Sequence, residues 1–182
     1  MKHIIITGTA RSGKTTLAKM LKEQLLSYNE FHGDCIREWM IQLYGQKRAR
    51  EITHSSDYPE SMSKLTDAFI SFASYPCIVE WSRYFPHNEY LISGKHESVF
   101  IYLGHGGIST KKLFDQIRKH ESLDDFTSSL SDRELLSACE RWSETDKQFL
   151  MECQKYNKDY YDTSNDRMTS LLEITQRIIA ES

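Results

Sequence analysis

The chain of 182 residues lacks most of the features that would place it in a special class. It has no apolar run near the roughly 20 residues that a membrane-crossing helix needs, so no membrane partner is expected. The opening Met1-Lys2-His3-Ile4-Ile5-Ile6 leads straight into a strand pattern, without the long apolar stretch of a secretory leader. Four cysteines, Cys35, Cys77, Cys139 and Cys153, are widely spaced and form no Cys-x-x-Cys pair. That argues against a zinc site or a redox motif, and the expectation is four buried or half-buried free thiols in a reducing cytoplasm. Positive charge is not in excess: 23 Lys and Arg against 26 Asp and Glu leave a net −3. Nucleic acid is therefore a disfavoured partner, and any phosphate-binding surface has to be local. There is no internal repeat, low-complexity tract or Pro-rich linker. Ser12 and His54 stand at no spacing that supports a hydrolytic nucleophile. The guanine-specific Asn-Lys-x-Asp motif is missing as well, since Tyr156-Asn157-Lys158-Asp159 lacks the spacer.

What is present is concentrated first in Gly8-Thr9-Ala10-Arg11-Ser12-Gly13-Lys14-Thr15, followed by Thr16. This is a Gly-x-x-x-x-Gly-Lys-Thr loop between the apolar run Ile4-Ile5-Ile6 and the helical pattern that begins at Gly13. Glycines let the backbone wrap closely around an anion, and the helix N-terminus adds its positive dipole end. Lys14 reaches β- and γ-phosphates, and Thr15 holds Mg²⁺. A purine nucleoside triphosphate with Mg²⁺ is the expected ligand.

Apolar residues at 39% and charged residues at 27% indicate one globular domain over residues 1–182. Strand and helix patterns alternate, which predicts an α/β domain with a parallel sheet. Strands are expected at residues 2–7, 29–33, 76–80, 98–103 and 159–162. Helices are expected at 13–27, 35–44, 61–74, 109–120, 132–156 and 166–180. Asp34 is the expected cap of the second helix and Gly45 its stop. Its inward residues are Ile36, Met40 and Leu43; those of the third are Leu65, Ala68, Phe69, Phe72 and Ala73. In the long helix Leu135, Leu136, Cys139, Trp142, Phe149, Leu150 and Cys153 form the apolar face. Residues 84–95 read as irregular, and Gly104-His105-Gly106-Gly107 as a flexible turn.

Ligands bind at the carboxyl edge of an open α/β sheet, where the loops after the strands converge. Glu80 ends the third strand, and a carboxylate there orients Mg²⁺ through water or takes a proton from an attacking hydroxyl. Asp34 and Arg37 lie one turn apart, a carboxylate for an acceptor hydroxyl and a guanidinium for an acceptor anion. Arg83 is a second candidate clamp, and Lys47, Arg48 and Arg50 are weaker ones because charge runs usually face solvent. Phosphoryl transfer also needs positive charge over the transferring group. Arg118, Arg133 and Arg141 lie in a segment able to fold over the site, with Arg133 and Arg141 preferred.

The order of these motifs resembles the small P-loop kinases related to adenylate kinase and the other nucleoside and nucleotide kinases. The resemblance rests on three islands: Gly8 to Thr15, Gly33-Asp34-Cys35-Ile36-Arg37, and Tyr160-Tyr161-Asp162-Thr163-Ser164 with Arg167. It implies a three-layer α/β/α P-loop NTPase fold with strand order 2-3-1-4-5. It also implies residues 35–74 as the acceptor-binding region, 104–156 as including a helical lid, and Thr163 and Ser164 beside adenine. In place of the Asp-Gly-Phe-Pro-Arg run of adenylate kinases the chain has Glu80-Trp81-Ser82-Arg83, which bears on AMP as acceptor but not on the donor site. The expected activity is ATP-dependent transfer of the γ-phosphoryl group to a small molecule. A nucleotide-driven switch or NTPase without an acceptor, and a kinase acting on a macromolecular end such as RNA, stand as the alternatives.

Overall fold

The computed structural model describes residues 2–123 and 125–181. Five parallel strands form one sheet in the order β2-β3-β1-β4-β5, as the resemblance implies. They are β1 (His3–Gly8), β2 (Asn29–His32), β3 (Cys77–Glu80), β4 (Ser98–Gly104) and β5 (Tyr160–Asp162). The helices are α1 (Lys14–Gln24), α2 (Gly33–Thr53), α3 (Tyr58–Phe72), α4 (Tyr90–Ser93), α5 (Thr110–His120), α6 (Asp132–Lys155) and α7 (Arg167–Glu181). No helix among the described residues is long and apolar enough to cross a membrane.

The centre of the sheet is apolar on both faces because helices cover both. Ile4 and Ile6 of β1 point to one side with Ile78, Ile101 and Leu103, against Leu17 and Leu21 of α1 and Leu171, Ile174 and Ile178 of α7. Ile5 points to the other side with Cys77 and Val79, against Met40 and Ala49 of α2 and Met62 and Ile70 of α3. This alternation is the two-residue period of a strand buried on both faces. Tyr102, Phe85, Phe149 and Cys153 extend the second layer under α6. A separate cluster of Leu113, Ile117, Leu135 and Cys139 joins α5 to α6. α6 opens on a capping box: Ser131 Oγ accepts from Glu134 N–H, and Glu134 accepts from Ser131 N–H.

Several helix expectations are corrected. Asp34 does not cap α2; the helix begins two residues earlier than expected, at Gly33, with His32 as its N-cap and no side-chain cap bond. Gly45 breaks the helix with a φ of 78°, but the chain resumes helical structure through Thr53, so the basic run after it is helical. Leu43, just before that break, is exposed, not inward. α3 starts at Tyr58 and buries Tyr58, Met62, Ser63, Thr66 and Ile70, while Leu65 and Phe72 face outward. Polar residues serve its inner face because they have partners there: Trp81 Nε1 donates to Thr66 Oγ1 (2.7 Å), and Ser63 Oγ lies 2.8 Å from the Tyr84 hydroxyl. Leu136 of α6 is also exposed, and so is Cys35. The 84–95 stretch carries a 3₁₀ turn at Pro86–Asn88 and then α4.

Candidate active site

The Gly-rich loop sits at the carboxyl end of β1, between β3 and β4, and its glycines answer two demands. Gly8 has a φ of 139° and pairs with Leu103 of β4. Gly13, with a φ of 96°, precedes α1. Arg11 takes the left-handed φ of 65° that glycine would adopt more cheaply. Ser12 Oγ and Lys14 Nζ both donate to Thr9 O, at 2.9 and 2.7 Å, and Thr9 Oγ1 donates to Trp142 O of α6 at 3.2 Å. Burial pushes the Lys14 ammonium below its ordinary pKa, while Glu80 and Asp34 oppose that shift.

Thr15 and Glu80 meet. Thr15 Oγ1 donates to Glu80 Oε1 at 2.9 Å, which brings the two expected metal-side groups together from α1 and β3. His32 contacts the other Glu80 oxygen, with Nδ1 2.7 Å from Oε2. Its Nε2 lies 2.9 Å from Glu30 Oε1. No group of three or more His, Cys, Asp or Glu among the described residues forms a metal cage. One hydroxyl and one carboxylate beside a phosphate loop suit Mg²⁺, which keeps several waters and takes its other oxygens from bound phosphates.

A cavity of about 340 Å³ lies among α2, the start of α3, the turn after β3 and α6. Asp34, Arg37 and Arg83 line it, as the sequence led us to expect of acceptor residues, and so do Arg50 and Arg141. Arg133 is exposed at the start of α6 and is not among the lining residues. Of the weaker candidates, only Arg50 reaches the cavity; Arg48 pairs with Glu51 at 3.0 Å. Arg118 is used within its own segment, on Glu121, Asp132 and the carbonyls of Thr127 and Leu130. The arginines that pair with a described carboxylate, Arg11, Arg48, Arg118 and Arg177, are all elsewhere. Among the described residues Arg37, Arg50, Arg83 and Arg141 have no such partner, so the cavity holds four guanidiniums against the single carboxylate of Asp34.

Two cavity residues lie outside the sequence expectations. His54 Nδ1 is 3.0 Å from Arg83 Nη1, and a guanidinium only donates, so Nδ1 accepts and the ring proton sits on Nε2. Burial, then the charges of Arg83, Arg50 and Arg141, push this imidazole below its ordinary pKa. Tyr58 is pushed up to about 12, first by burial and then by Asp34. No motif announces either residue; they reach the cavity only because α2 resumes after Gly45.

The far side of the loop is held by residues whose role the sequence did not show. His105, expected in a flexible turn, is buried, and its Nε2 donates to Ala10 O at 2.9 Å. Asp146 of α6, 1% exposed, accepts from His105 N–H (2.9 Å), Gly107 N–H (3.0 Å) and the Tyr160 hydroxyl (2.7 Å). Thr163 Oγ1 lies 3.0 Å from both Ser12 O and Gly104 O, so this hydroxyl is committed to the loop. Ser164 is buried beside it, with its N–H on Asp162 Oδ1 at 2.8 Å.

Arg11 reaches across to the segment between α5 and α6 and grips Asp125 with two bonds, of 2.7 and 2.9 Å. The guanidinium holds the Asp125 carboxyl at about 2, against an ordinary 3.8. A depressed folded-state value contributes stability above the unfolded value and loses it as pH falls through the folded one. The difference in melting temperature between wild type and Asp125→Asn should therefore be constant above pH 3.8 and shrink on acidification towards pH 2. A difference that stays constant down to pH 2 would show that the pair contributes nothing.

Three solved structures align with nearly the whole chain. A shikimate kinase from Bacteroides thetaiotaomicron matches with a TM-score of 0.57 at 14% identity, covering 97% of each chain. A gluconokinase from Sinorhizobium meliloti matches at 0.58 and 16%, covering 100% of this chain and 97% of that one. A putative kinase from Chloroflexus aurantiacus matches at 0.54 and 15%, covering 100% and 98%. The fold is that of the P-loop small-molecule kinases. The family model described as "PduV-EutP: Ethanolamine utilisation - propanediol utilisation" matches residues 1–46, which span the P-loop and the start of α2. No curated protein sequence matches the chain.

Proposed function

We propose that the protein is an ATP- and Mg²⁺-dependent kinase that transfers the γ-phosphoryl group to a small anionic molecule. The observation that carries this reading is the placement of Asp34. It lines the arginine-rich cavity, and its charge also opposes the lowering of the Lys14 pKa. In this reading one carboxylate serves both the donor side and the acceptor side.

In this reading Lys14 and the amides of residues 8–16 hold the triphosphate. Thr15, with Glu80 directly or through water, holds Mg²⁺, which neutralises charge on the phosphate oxygens. Asp34 orients the acceptor hydroxyl and accepts its proton. Arg37 and Arg83, joined by Arg50, take the acceptor anion. Arg141 comes from α6 and serves as the lid arginine within residues 104–156, while residues 35–74 form most of the acceptor wall. Ser164 and the backbone at Thr163 stand beside the base, since the Thr163 hydroxyl is already engaged.

The test is ADP release with a panel of hydroxyl-bearing acceptors: sugar phosphates, nucleoside monophosphates, hydroxy acids and their neutral analogues. Anionic members should stimulate turnover and neutral ones should not. The same rate without any acceptor would replace the kinase by an NTPase. For the acceptor that works, Arg83→Ala should raise its KM about 10- to 100-fold, the loss of a charge-assisted hydrogen bond of about 1.5–3 kcal/mol. The KM for ATP should stay within about two-fold. An unchanged acceptor KM would remove Arg83 from the site.

A further inference from the structure

We infer that His32 is a positioning residue that sets which oxygen of Glu80 faces the metal side of the phosphate loop. None of the motifs read from the sequence assigns this histidine a role. The inference rests on the assignment of Glu80 to Mg²⁺ made above.

The sheet brings the groups together. β2 and β3 pair in parallel with His32 opposite Glu80, so the two side chains stand side by side on the α1 face. Glu30, two residues earlier on β2, shares that face. The Glu80 carboxylate is buried, its side chain 8% exposed, and each oxygen has its own partner. Oε1 accepts from Thr15, and Oε2 lies 2.7 Å from His32 Nδ1. A carboxylate accepts only, so Nδ1 carries the proton of that bond. The other ring nitrogen lies 2.9 Å from Glu30 Oε1 without hydrogen-bond geometry.

The physical consequence concerns the order of the carboxylate. A glutamate has three side-chain torsions, and holding them costs about 1–2 kcal/mol of rotamer freedom. The His32 bond settles that cost in the folded protein, and Oε1 already points at Thr15 when metal and nucleotide arrive. Groups that orient a metal ligand through its second atom commonly change metal affinity by about 10- to 100-fold.

The experiment compares the Kd of a fluorescent ATP analogue in magnesium and in EDTA, using the full chain. Wild type should bind more tightly with magnesium. His32→Ala should leave the EDTA value within about two-fold and weaken binding in magnesium about ten-fold. His32→Asn, whose amide N–H can stand near the place of Nδ1, should restore most of the metal effect. His32→Gln, with its amide one bond further out, should not. Equal behaviour of Asn and Gln, or equal weakening in EDTA and magnesium, would reduce His32 to a structural residue and overturn the inference. That comparison also holds should the alanine variant fail to fold. Glu80→Gln separates the two levels. Loss of the magnesium effect there with a normal His32→Ala would remove His32 alone; a Glu80→Gln protein with the full magnesium effect would remove the Glu80 assignment and His32 with it.

Discussion

Lys14→Ala should lower turnover by about 10³-fold and leave the fold intact, the scale seen when one preorganised donor is taken from a developing charge. Lys14 is the first residue of α1, and its ammonium is held over the loop by the bond to Thr9 O at 2.7 Å. The group is 9% exposed, and burial works against its charge. Removing it therefore relieves a desolvation cost while losing one hydrogen bond, and the two terms offset each other in stability. No such offset exists for activity, because the charge meets the γ-phosphate only when nucleotide is bound. Steady-state ADP production and thermal melting together check this. Normal turnover in a folded variant would end the kinase reading.

Gly8→Ala should be the most damaging small substitution in the loop, costing about 3 kcal/mol or more. An added Cβ would lie 2.0 Å from Leu103 O and 2.8 Å from Leu103 N and C, all of them backbone of the paired central strand. The φ of 139° adds conformational strain that no rearrangement of side chains removes. Gly107 provides the comparison. Its φ is also positive, at 71°, but nothing stands within 4 Å of a Cβ there, so Gly107→Ala should cost only about 1–2 kcal/mol. Urea unfolding of both variants measures the difference. Equal losses would mean that contact with β4 is not what requires glycine at position 8.

The elements that could be read from the sequence are those governed by neighbours in the chain. The phosphate loop needs two glycines, a lysine and a hydroxyl at fixed spacing between a strand and a helix, and those are contiguous facts. Strand positions followed in the same way, since runs such as Ile4-Ile5-Ile6 are buried on both faces. Helix faces were harder. The apolar pattern of α3 suggested Leu65 and Phe72, yet Phe72 is 92% exposed. The inner face instead uses Ser63 and Thr66, because their hydroxyls meet Tyr84 and Trp81. Hydrophobicity does not record a hydroxyl that will find a buried partner in another segment of the chain.

The candidate site divides along the same line. Its donor half follows from local sequence, and so does the nomination of Asp34, Arg37, Glu80 and Arg83. Which arginine of α6 lines the cavity did not follow: Arg133 and Arg141 look alike in the chain, and only the packing of α6 brings Arg141 there. The same is true of the His54–Arg83, His105–Asp146 and His32–Glu80 contacts, which join residues 29 to 48 positions apart. By itself the sequence determined that a Gly-x-x-x-x-Gly-Lys-Thr loop opens a parallel α/β sheet, because the loop's shape depends on glycine freedom and the helix end that follows it. The tertiary structure alone decided how four guanidiniums, none paired with a carboxylate among the described residues, come to line one cavity with Asp34, because charge gathers in a cavity through the packing of distant elements, and no local pattern encodes that.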